Sequence, residues 1–162
     1  MAERRIGVLF VCSGNICRSP TAEGVFRAKA VASGMLERLR IDSAGTESYH
    51  TGQAPDARAI EHAARRGYDL ASLRARQVAR SDFDDFDRIL AMDRGHLREL
   101  KAMAPAAARA RITMFLDHSV TRRGLDVPDP YFGGSRAFEE VLDMVEEASA
   151  RLLEEIVAGL KR

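Results

Sequence analysis

The sequence predicts an α/β fold, an open four-stranded parallel sheet with helices on both faces, formed as one domain over residues 1–162. Residues 6–11, Ile-Gly-Val-Leu-Phe-Val, are continuously apolar, which is typical of a strand buried on both faces of a parallel sheet. Strand-like and helix-like segments then alternate along the chain, as they do in such sheets. With 162 residues, 46% of them hydrophobic, the chain is long enough to bury one core.

The first strand leads through a short loop into the first helix. After residues 6–11, the segment 12–18 is predicted as that loop. Ser19 followed by Pro20 predicts a helix start, with serine as the N-cap and proline at the first helical position. We expect this helix to end near Gly34, since glycine is favoured just beyond a last helical turn.

The rest of the chain supplies three more strands and three more helices. After a loop that contains Pro128 and Pro130, apolar residues recur at helical spacing from about Ser135 to Leu160, so the last helix is expected to pack a stripe against the sheet. The elements before that loop are predicted as a strand from Arg38 to Ser43 that enters a turn at Ala44-Gly45, a helix from Pro55-Asp56 to Gly67, a strand from Phe86 to Met92, a short helix capped by Asp93, and a strand from Arg111 to Phe115.

Composition limits the classes of partner. The chain has 25 lysine and arginine residues against 24 aspartate and glutamate residues, so no large basic field favours nucleic acid or an anionic membrane. The apolar run near the start is too short to span a bilayer, and no signal-peptide pattern follows Met1. The only cysteines, Cys12 and Cys17, suit a reducing compartment. We expect a cytoplasmic protein without nucleic-acid or membrane partners, working as a monomer or with weak self-association.

Residues 12–19 occupy the place where open parallel sheets most often bind phosphate, the turn between the first strand and the following helix. Backbone N–H groups of such a loop and the N-terminus of the helix attract an oxyanion without many charged side chains. Gly14 allows the backbone to close tightly. The predicted phosphate-binding loop comprises Ser13, Gly14, Asn15, Ile16, Cys17 and Ser19.

Cys12 and Arg18 supply the chemistry that this loop predicts. The field of an anion-binding loop favours the thiolate, which is the nucleophilic form of cysteine. Arg18 offers a planar guanidinium that can bind two phosphate oxygens at once. In a chain so rich in arginine, the spacing of Cys12 and Arg18 alone is weak support. The continuous order of strand, Cys, Gly, Arg, Ser-Pro and helix is what indicates a phosphate site with a cysteine nucleophile.

Four sequence motifs carry a resemblance to a known family. They are Cys12-Ser-Gly-Asn-Ile-Cys-Arg-Ser-Pro20, Asp42-Ser-Ala-Gly-Thr46, Ala91-Met-Asp93 and Asp129-Pro-Tyr131, and together they resemble the marks of low-molecular-weight protein tyrosine phosphatases over essentially the whole chain. The resemblance implies hydrolysis of aryl phosphate monoesters through a cysteinyl-phosphate intermediate, without a cofactor or metal. The implied substrates are phosphotyrosine-containing proteins and small aryl phosphates, with inorganic phosphate as product.

The resemblance implies that Asp129 is the general acid, beside Cys12 and Arg18 as the other catalytic residues. The residues themselves agree, because Pro128 and Pro130 hold Asp129 in a stiff, extended loop that can overhang the site. Asp93 is predicted only to cap a helix. None of the four histidines has a spacing that suggests a metal-ligand pair.

Further roles follow from the same resemblance. Asn15 and Ser43 resemble the pair that braces the loop, and Ser19 resembles the hydroxyl that stabilises the Cys12 thiolate. The pocket wall is predicted from Ile16, Tyr49, Tyr131 and Phe132, where a flat leaving group can stack. Apart from the resemblance, Cys17 has two interpretations: it is a packed thiol, or it forms a disulfide with Cys12 on oxidation. We favour the disulfide, because the loop brings the two cysteines together and a thiolate is easily oxidised.

Three further interpretations stay open on the sequence alone. A thioredoxin-coupled arsenate reductase shares such a loop but needs further cysteines, and none follows Cys17. A protein arginine phosphatase resembles this chain but carries threonine in place of Ile16, whose apolar side chain cannot hydrogen-bond a guanidinium. A non-catalytic phosphotyrosine-binding module needs neither the nucleophile Cys12 nor the acid Asp129.

Overall fold

A parallel sheet forms the centre of the structure, a computed structural model that describes residues 4–161. Residues 1–3 and 162 of the predicted domain, with Met1 among them, lie outside the described residues. The strands of the sheet are β1 (Ile6–Cys12), β2 (Leu39–Gly45), β3 (Arg88–Ala91) and β4 (Arg111–Met114). They lie in the order β2-β1-β3-β4, and all three pairings are parallel. The predicted fold class is confirmed.

Helices cover both faces of the sheet because its central strand is apolar on both sides. In β1, Val8 and Phe10 pack against one group of helices, whereas Leu9 and Val11 pack toward the other. The first group is α1 (Arg18–Ala32), α2 (Ala57–Arg65) and α5 (Ser135–Leu160), and the second is α3 (Asp82–Asp85) and α4 (Arg94–Met103). Within residues 4–161, no helix has the length and apolar character needed to cross a lipid bilayer.

The start of α1 differs from the prediction. The helix begins at Arg18, with Cys17 in the N-cap position, so the assignment of Ser19 as the N-cap was wrong by two residues. The physical reason is that the Ser19 hydroxyl lies 3.0 Å from Cys12 Sγ and accepts a hydrogen bond from Asn15. Its side chain therefore belongs to the loop and does not cap the helix.

The end of β2 also differs. Residues 44–45 continue the strand and do not form the predicted turn. The Gly45 N–H donates to the carbonyl of Arg76 at 2.8 Å, and the Gly45 carbonyl accepts from Val78 N–H at 2.8 Å. This pairing with a segment distant in sequence keeps the backbone extended, and it brings residues 75–78 to the back of the loop.

The other boundaries are close to those predicted. The strands β3 and β4 are shorter than expected, since Phe86 terminates α3 and Phe115 begins a 3-10 turn. The helix α3 and the 3-10 turn Leu36–Arg38 were not predicted, because segments of three or four residues are too short to show a helical repeat. Asp56 and Asp93 cap α2 and α4 through hydrogen bonds from Arg58 N–H and His96 N–H.

Candidate active site

The loop between β1 and α1 lies at the carboxyl edge of the sheet and lines a cleft of about 270 Å³. Three of its carbonyls accept backbone N–H groups from residues that do not line the cleft: Cys12 from Thr46 at 2.9 Å, Ser13 from Glu47 at 3.0 Å, and Ile16 from Asp56 at 2.8 Å. A trans peptide directs its carbonyl and the following N–H to opposite sides. The N–H groups of residues 13, 14 and 17 therefore turn toward the cleft.

These N–H groups have no protein acceptor. Within the described chain, 4–161, the N–H groups of residues 13–17 donate no hydrogen bond to the protein. They belong to the loop that leads into the N-terminus of α1, where the helix dipole adds partial positive charge. Such a set of donors can hold the oxygens of a phosphate group over the Cys12 sulfur.

Asn15 fixes the shape of the loop from behind. Its φ of 58° places it in the left-handed region, the only non-glycine residue within 4–161 with a positive φ. Its Nδ2 group donates to Ser19 Oγ at 2.8 Å and to Ser43 Oγ at 2.9 Å, and its Oδ1 accepts the Arg76 N–H at 3.0 Å. Asn15 is 2% exposed, so these bonds are shielded from water. The structure thus brings together the two residues predicted to support the loop.

A chain of hydrogen bonds through Ser43, Asn15 and Ser19 leads to Cys12. Ser43 O–H donates to Glu23 Oε1 at 2.7 Å, which leaves its oxygen to accept from Asn15. Ser19 also accepts from Asn15, and its hydroxyl hydrogen has two acceptors within reach, Cys12 Sγ at 3.0 Å and, at the longer distance of 3.5 Å, the Ala44 carbonyl. A hydroxyl aimed at sulfur stabilises the thiolate form.

Glu23 is a part of this network that sequence reasoning missed. Burial raises the pKa of its carboxyl, although hydrogen bonds from Ser43 and Arg27 oppose the rise. Its Oε2 also pairs with Arg27 at 2.9 Å. The signal that could have found Glu23 is its spacing, because it lies four residues after Ser19 and so on the same face of α1.

Arg18 is held rigidly at the other end of the loop. Its side chain is 7% exposed, and NH1 donates to Asp93 Oδ2 at 3.0 Å and to the Val127 carbonyl at 3.1 Å. Burial opposes ionisation of Asp93, but the His96 N–H and the Arg18 guanidinium outweigh it and hold the pKa of Asp93 below its ordinary value. The Asp93 carboxylate therefore orients the guanidinium as well as capping α4, a second contact that the sequence did not indicate.

Asp129 lines the same cleft on a more open segment. Its side chain is half exposed, and its Oδ2 lies 3.8 Å from Arg18 NH2. The Tyr131 N–H donates to Asp129 Oδ1 at 3.0 Å, which fixes the carboxyl with one oxygen toward Arg18. The structure thus brings Asp129 into the cleft that Cys12 and Arg18 also line.

Aromatic side chains form the rim of the cleft. Ile16, Tyr49, Tyr131 and Phe132, all predicted as pocket wall, line it, and Phe132 is 94% exposed. His50 lines it too and was not predicted. A Cβ at Gly14 would lie 2.8 Å from a carbon of the His50 ring, so glycine is what lets this rim approach the loop.

Cys17 lies in the loop beside Cys12. Both side chains line the cleft, and both cysteines are buried and free. Burial, with a smaller effect of Asp56, raises the pKa of Cys17 from its ordinary 9.0 to about 12. Cys17 therefore carries its proton at neutral pH and does not compete with Cys12 for phosphorus.

The fold and the site define a class of protein. Its members have a parallel α/β sheet with an anion-binding loop at the carboxyl edge, and this loop begins with a cysteine. Comparison with known proteins narrows this class. A family model described as low molecular weight phosphotyrosine protein phosphatase matches residues 7–162. The chain belongs to that family, which confirms the resemblance seen in its motifs.

Individual relatives cover nearly the whole chain. A low molecular weight protein-tyrosine-phosphatase of Streptomyces coelicolor is 48% identical over 149 residues, 90% of each chain. A crystal structure of a protein tyrosine phosphatase from Entamoeba histolytica, with Hepes in its active site, is 40% identical with a TM-score of 0.91 and covers 95% of this chain and 98% of its own. The structure of a Drosophila arginine phosphatase is 32% identical with a TM-score of 0.86, covering 92% and 96%. The overall fold therefore does not by itself select the phosphorylated residue.

Proposed function

We propose that this protein is a protein-tyrosine phosphatase that hydrolyses aryl phosphate monoesters through a cysteinyl-phosphate intermediate. One observation carries the proposal. The N–H groups of residues 13–17 have no protein acceptor within 4–161, and they belong to the loop that directly follows Cys12, whose sulfur lies 3.0 Å from the Ser19 hydroxyl. A phosphoryl group offers several oxygens to such donors at once, and one held there presents its phosphorus to Cys12.

The first chemical step uses the two sides of the cleft. The Cys12 thiolate attacks phosphorus while Arg18 and the loop N–H groups hold the three equatorial oxygens. The bond from phosphorus to the aryl oxygen breaks, and Asp129 donates its proton to that oxygen. Tyrosine leaves as a neutral phenol, and the phosphoryl group is bonded to sulfur.

The second step regenerates the enzyme. Asp129, now a carboxylate, accepts a proton from a water molecule as the water oxygen attacks phosphorus. The bond between sulfur and phosphorus breaks, and inorganic phosphate leaves. The hydroxyl of Ser19, 3.0 Å from Cys12 Sγ, can donate its hydrogen to the departing thiolate and so stabilise it. The steps need no metal or cofactor.

The rim of the cleft favours an aryl phosphate. Tyr49 and Tyr131 offer flat faces on which a phenyl ring can stack. Ile16 is partly buried against the core and presents an apolar side chain to the cleft, which gives a guanidinium no hydrogen-bond partner. These contacts favour phosphotyrosine-containing proteins and small aryl phosphates over phosphoarginine.

A substrate panel tests the proposal. We would measure hydrolysis of matched phosphotyrosine, phosphoserine and phosphoarginine peptides by the parent, Cys12→Ser and Asp129→Ala. We expect the phosphotyrosine peptide to be hydrolysed fastest by the parent, and Cys12→Ser to be inactive on all three. Substantial activity of Cys12→Ser would refute the cysteine mechanism. Preference for phosphoarginine would refute the argument from Ile16 and leave the mechanism standing.

An arsenate reductase and a binding module are both less well supported. A reductase that passes a disulfide outward needs a third cysteine, and the sequence holds only Cys12 and Cys17. A binding module needs no proton donor, whereas Asp129 lines the same cleft as the sulfur. Two free cysteines suit a reducing compartment, so we place the protein in the cytoplasm, as a monomer or with weak self-association.

We also propose that Cys17 protects the nucleophile. Peroxide oxidises the Cys12 thiolate to a sulfenic acid, the Cys17 sulfur displaces the hydroxyl as water, and a disulfide forms that a dithiol reduces. Both residues belong to one short loop and line the same cleft, which supports this pairing. After peroxide and then dithiothreitol, the parent should regain its activity and Cys17→Ser should stay largely inactive. Equal recovery of the two proteins would exclude the protective role.

A further inference from the structure

A buried histidine contacts the start of the phosphate loop. His96, in the first turn of α4, is 3% exposed, and its Nε2 lies 2.7 Å from Ser13 Oγ. Ser13 is the residue directly after Cys12, and its carbonyl accepts the Glu47 N–H at 3.0 Å. Ser13 is thus fixed through its backbone by one segment and through its side chain by another.

The charges around His96 assign the direction of this hydrogen bond. Its Nδ1 lies 3.1 Å from Asp93 Oδ1, where a lone pair would be repelled, so Nδ1 carries the hydrogen. The Nδ1–H is not aligned with that oxygen for a hydrogen bond, so the contact is electrostatic. Burial lowers the pKa of His96 more than the charge of Asp93 raises it. The ring is therefore neutral at neutral pH. In the neutral ring Nε2 is then an acceptor, and Ser13 O–H donates to it.

One carboxylate connects the two ends of the loop. Asp93 Oδ2 accepts from Arg18 NH1 at 3.0 Å, and Asp93 Oδ1 accepts the His96 N–H at 2.9 Å and faces the His96 ring. Through His96 the same carboxylate reaches Ser13, five residues before Arg18. The loop is therefore held from α4 at both of its ends.

We propose that His96 is a positioning residue for phosphate binding, which holds Ser13 so that the first N–H groups of the loop stay directed into the cleft. The Ser13 hydroxyl is committed to His96, so it donates nothing to the phosphate, and its contribution is made through the backbone that it anchors. This inference rests on the proposed phosphatase function, because it assigns a role within the same anion site.

Loss of the anchor should weaken the binding of any phosphate group to a similar degree. Substrate, transition state and product all place oxygens against the same N–H groups, so the hydrogen bond contributes uniform binding. One buried hydrogen bond corresponds to an affinity change of up to about tenfold. KM and the dissociation constant of inorganic phosphate should rise together, while kcat changes less than about threefold.

The test compares four variants with the parent. Ser13→Ala, His96→Ala and their double variant are titrated with inorganic phosphate by calorimetry, and KM and kcat are measured with p-nitrophenyl phosphate. We expect each single variant to lose about tenfold in phosphate affinity and the double variant to lose no more than either, since both remove one bond. His96→Gln, which can place an amide oxygen near Ser13, should recover most of the loss.

His62→Gln is the matched control. His62 is also a buried histidine, 5% exposed and hydrogen-bonded to Glu139, but it lies in α2 and does not line the cleft. We expect it to lower the free energy of unfolding without changing phosphate affinity. Unchanged phosphate affinity in Ser13→Ala, or losses in the two single variants that multiply in the double, would overturn the proposal.

Two outcomes are distinguished by the same measurements. Should His96→Ala fail to fold, the other two single variants still test the proposal. It requires weak phosphate binding in Ser13→Ala and near-parent phosphate binding in His96→Gln. A parent that binds inorganic phosphate but hydrolyses no aryl phosphate would refute the proposed function, while the calorimetric comparison would still test the role of His96.

Discussion

The phosphate loop and the Asp129 segment face each other across one cleft but are built differently. In the loop, Cys12, Asn15 and Arg18 are at most 5% exposed, and hydrogen bonds fix the carbonyls at both ends. In the segment, Asp129 has a half-exposed carboxyl and Phe132 is 94% exposed. The side proposed to bind the phosphate is preorganised, whereas the side proposed to donate the proton is open to solvent and to the substrate.

This difference follows from what each side must do. The loop has to hold its N–H groups toward the phosphate before the substrate arrives, because donors that reorganise during the reaction stabilise the transition state less. The segment has to admit a bulky phosphotyrosine and exchange protons with water. A change in the loop should therefore damage both stability and activity, and a change in the segment should damage activity alone.

The largest effect should come from the nucleophile. Cys12→Ser should lower kcat/KM for p-nitrophenyl phosphate on the order of 10⁴-fold or more, because an alcohol without a general base is a poor nucleophile. The matched variant Cys17→Ser should keep activity within about tenfold of the parent. Initial rates of the two variants provide the measurement. Similar losses in both would show that the loop tolerates no change at either cysteine, and the assignment of Cys12 would have no support.

The proton donor should come next. Asp129→Asn should lower kcat/KM, which reports the step that expels the leaving group, by about 10²- to 10⁴-fold for phenyl phosphate, whose leaving group needs a proton. The loss should be much smaller for p-nitrophenyl phosphate, because nitrophenolate leaves without one. The free energy of unfolding should stay within about 0.5 kcal/mol of the parent, since the side chain is exposed. An equal loss with both substrates would contradict a role in protonating the leaving group.

Asn15 separates backbone shape from hydrogen bonding in the loop. Asn15→Gly and Asn15→Ala both remove three hydrogen bonds, and only alanine adds strain at the positive φ of 58°. Both should lose about ten- to a hundredfold in kcat/KM, as expected for one or two net hydrogen bonds. Urea unfolding should show the alanine variant less stable than the glycine variant by about 1 kcal/mol. Equal stability would argue against strain at this position.

The smallest effect is a pH dependence of stability that comes from Cys17. Burial raises the pKa of Cys17 from 9.0 to about 12, so the folded chain keeps a proton that the unfolded chain releases above pH 9. The stability of the parent should therefore fall as pH rises from 9 toward 12. Cys17→Ser has no group that ionises there, and its unfolding free energy should fall less steeply over this range. Parallel slopes would contradict the burial of this thiol.

Much of the fold and of the phosphate loop could be predicted from the sequence, because both depend on the order of neighbouring residues. The apolar strand of residues 6–11, the loop after it and the parallel sheet all follow from residues adjacent in the chain. Gly14 and Arg18 were found for the same reason. Asp129, 111 positions beyond Arg18, needed the family resemblance, since an aspartate in a turn has many ordinary uses.

The contacts that were missed join segments far apart in sequence. His96 and Ser13 are 83 positions apart, and nothing in either local pattern indicates the other. Asp93 was identified as a helix cap, which the structure confirms, but its bond to Arg18 depends on how the sheet places α4 beside the loop. Ser19 was misassigned because Ser-Pro is a frequent helix start, and the tertiary contact with Cys12 overrides that preference.

Detection of the covalent intermediate tests the central claim most directly. Asp129→Asn would be mixed with p-nitrophenyl phosphate and quenched in acid within the first turnover, and the digested peptides analysed by mass spectrometry. Without a base to activate water, the intermediate should accumulate. We expect one phosphoryl group on the peptide that contains Cys12, located on that cysteine, and none in Asp129→Asn/Cys12→Ser. A burst of nitrophenol without any phosphorylated cysteine would contradict it.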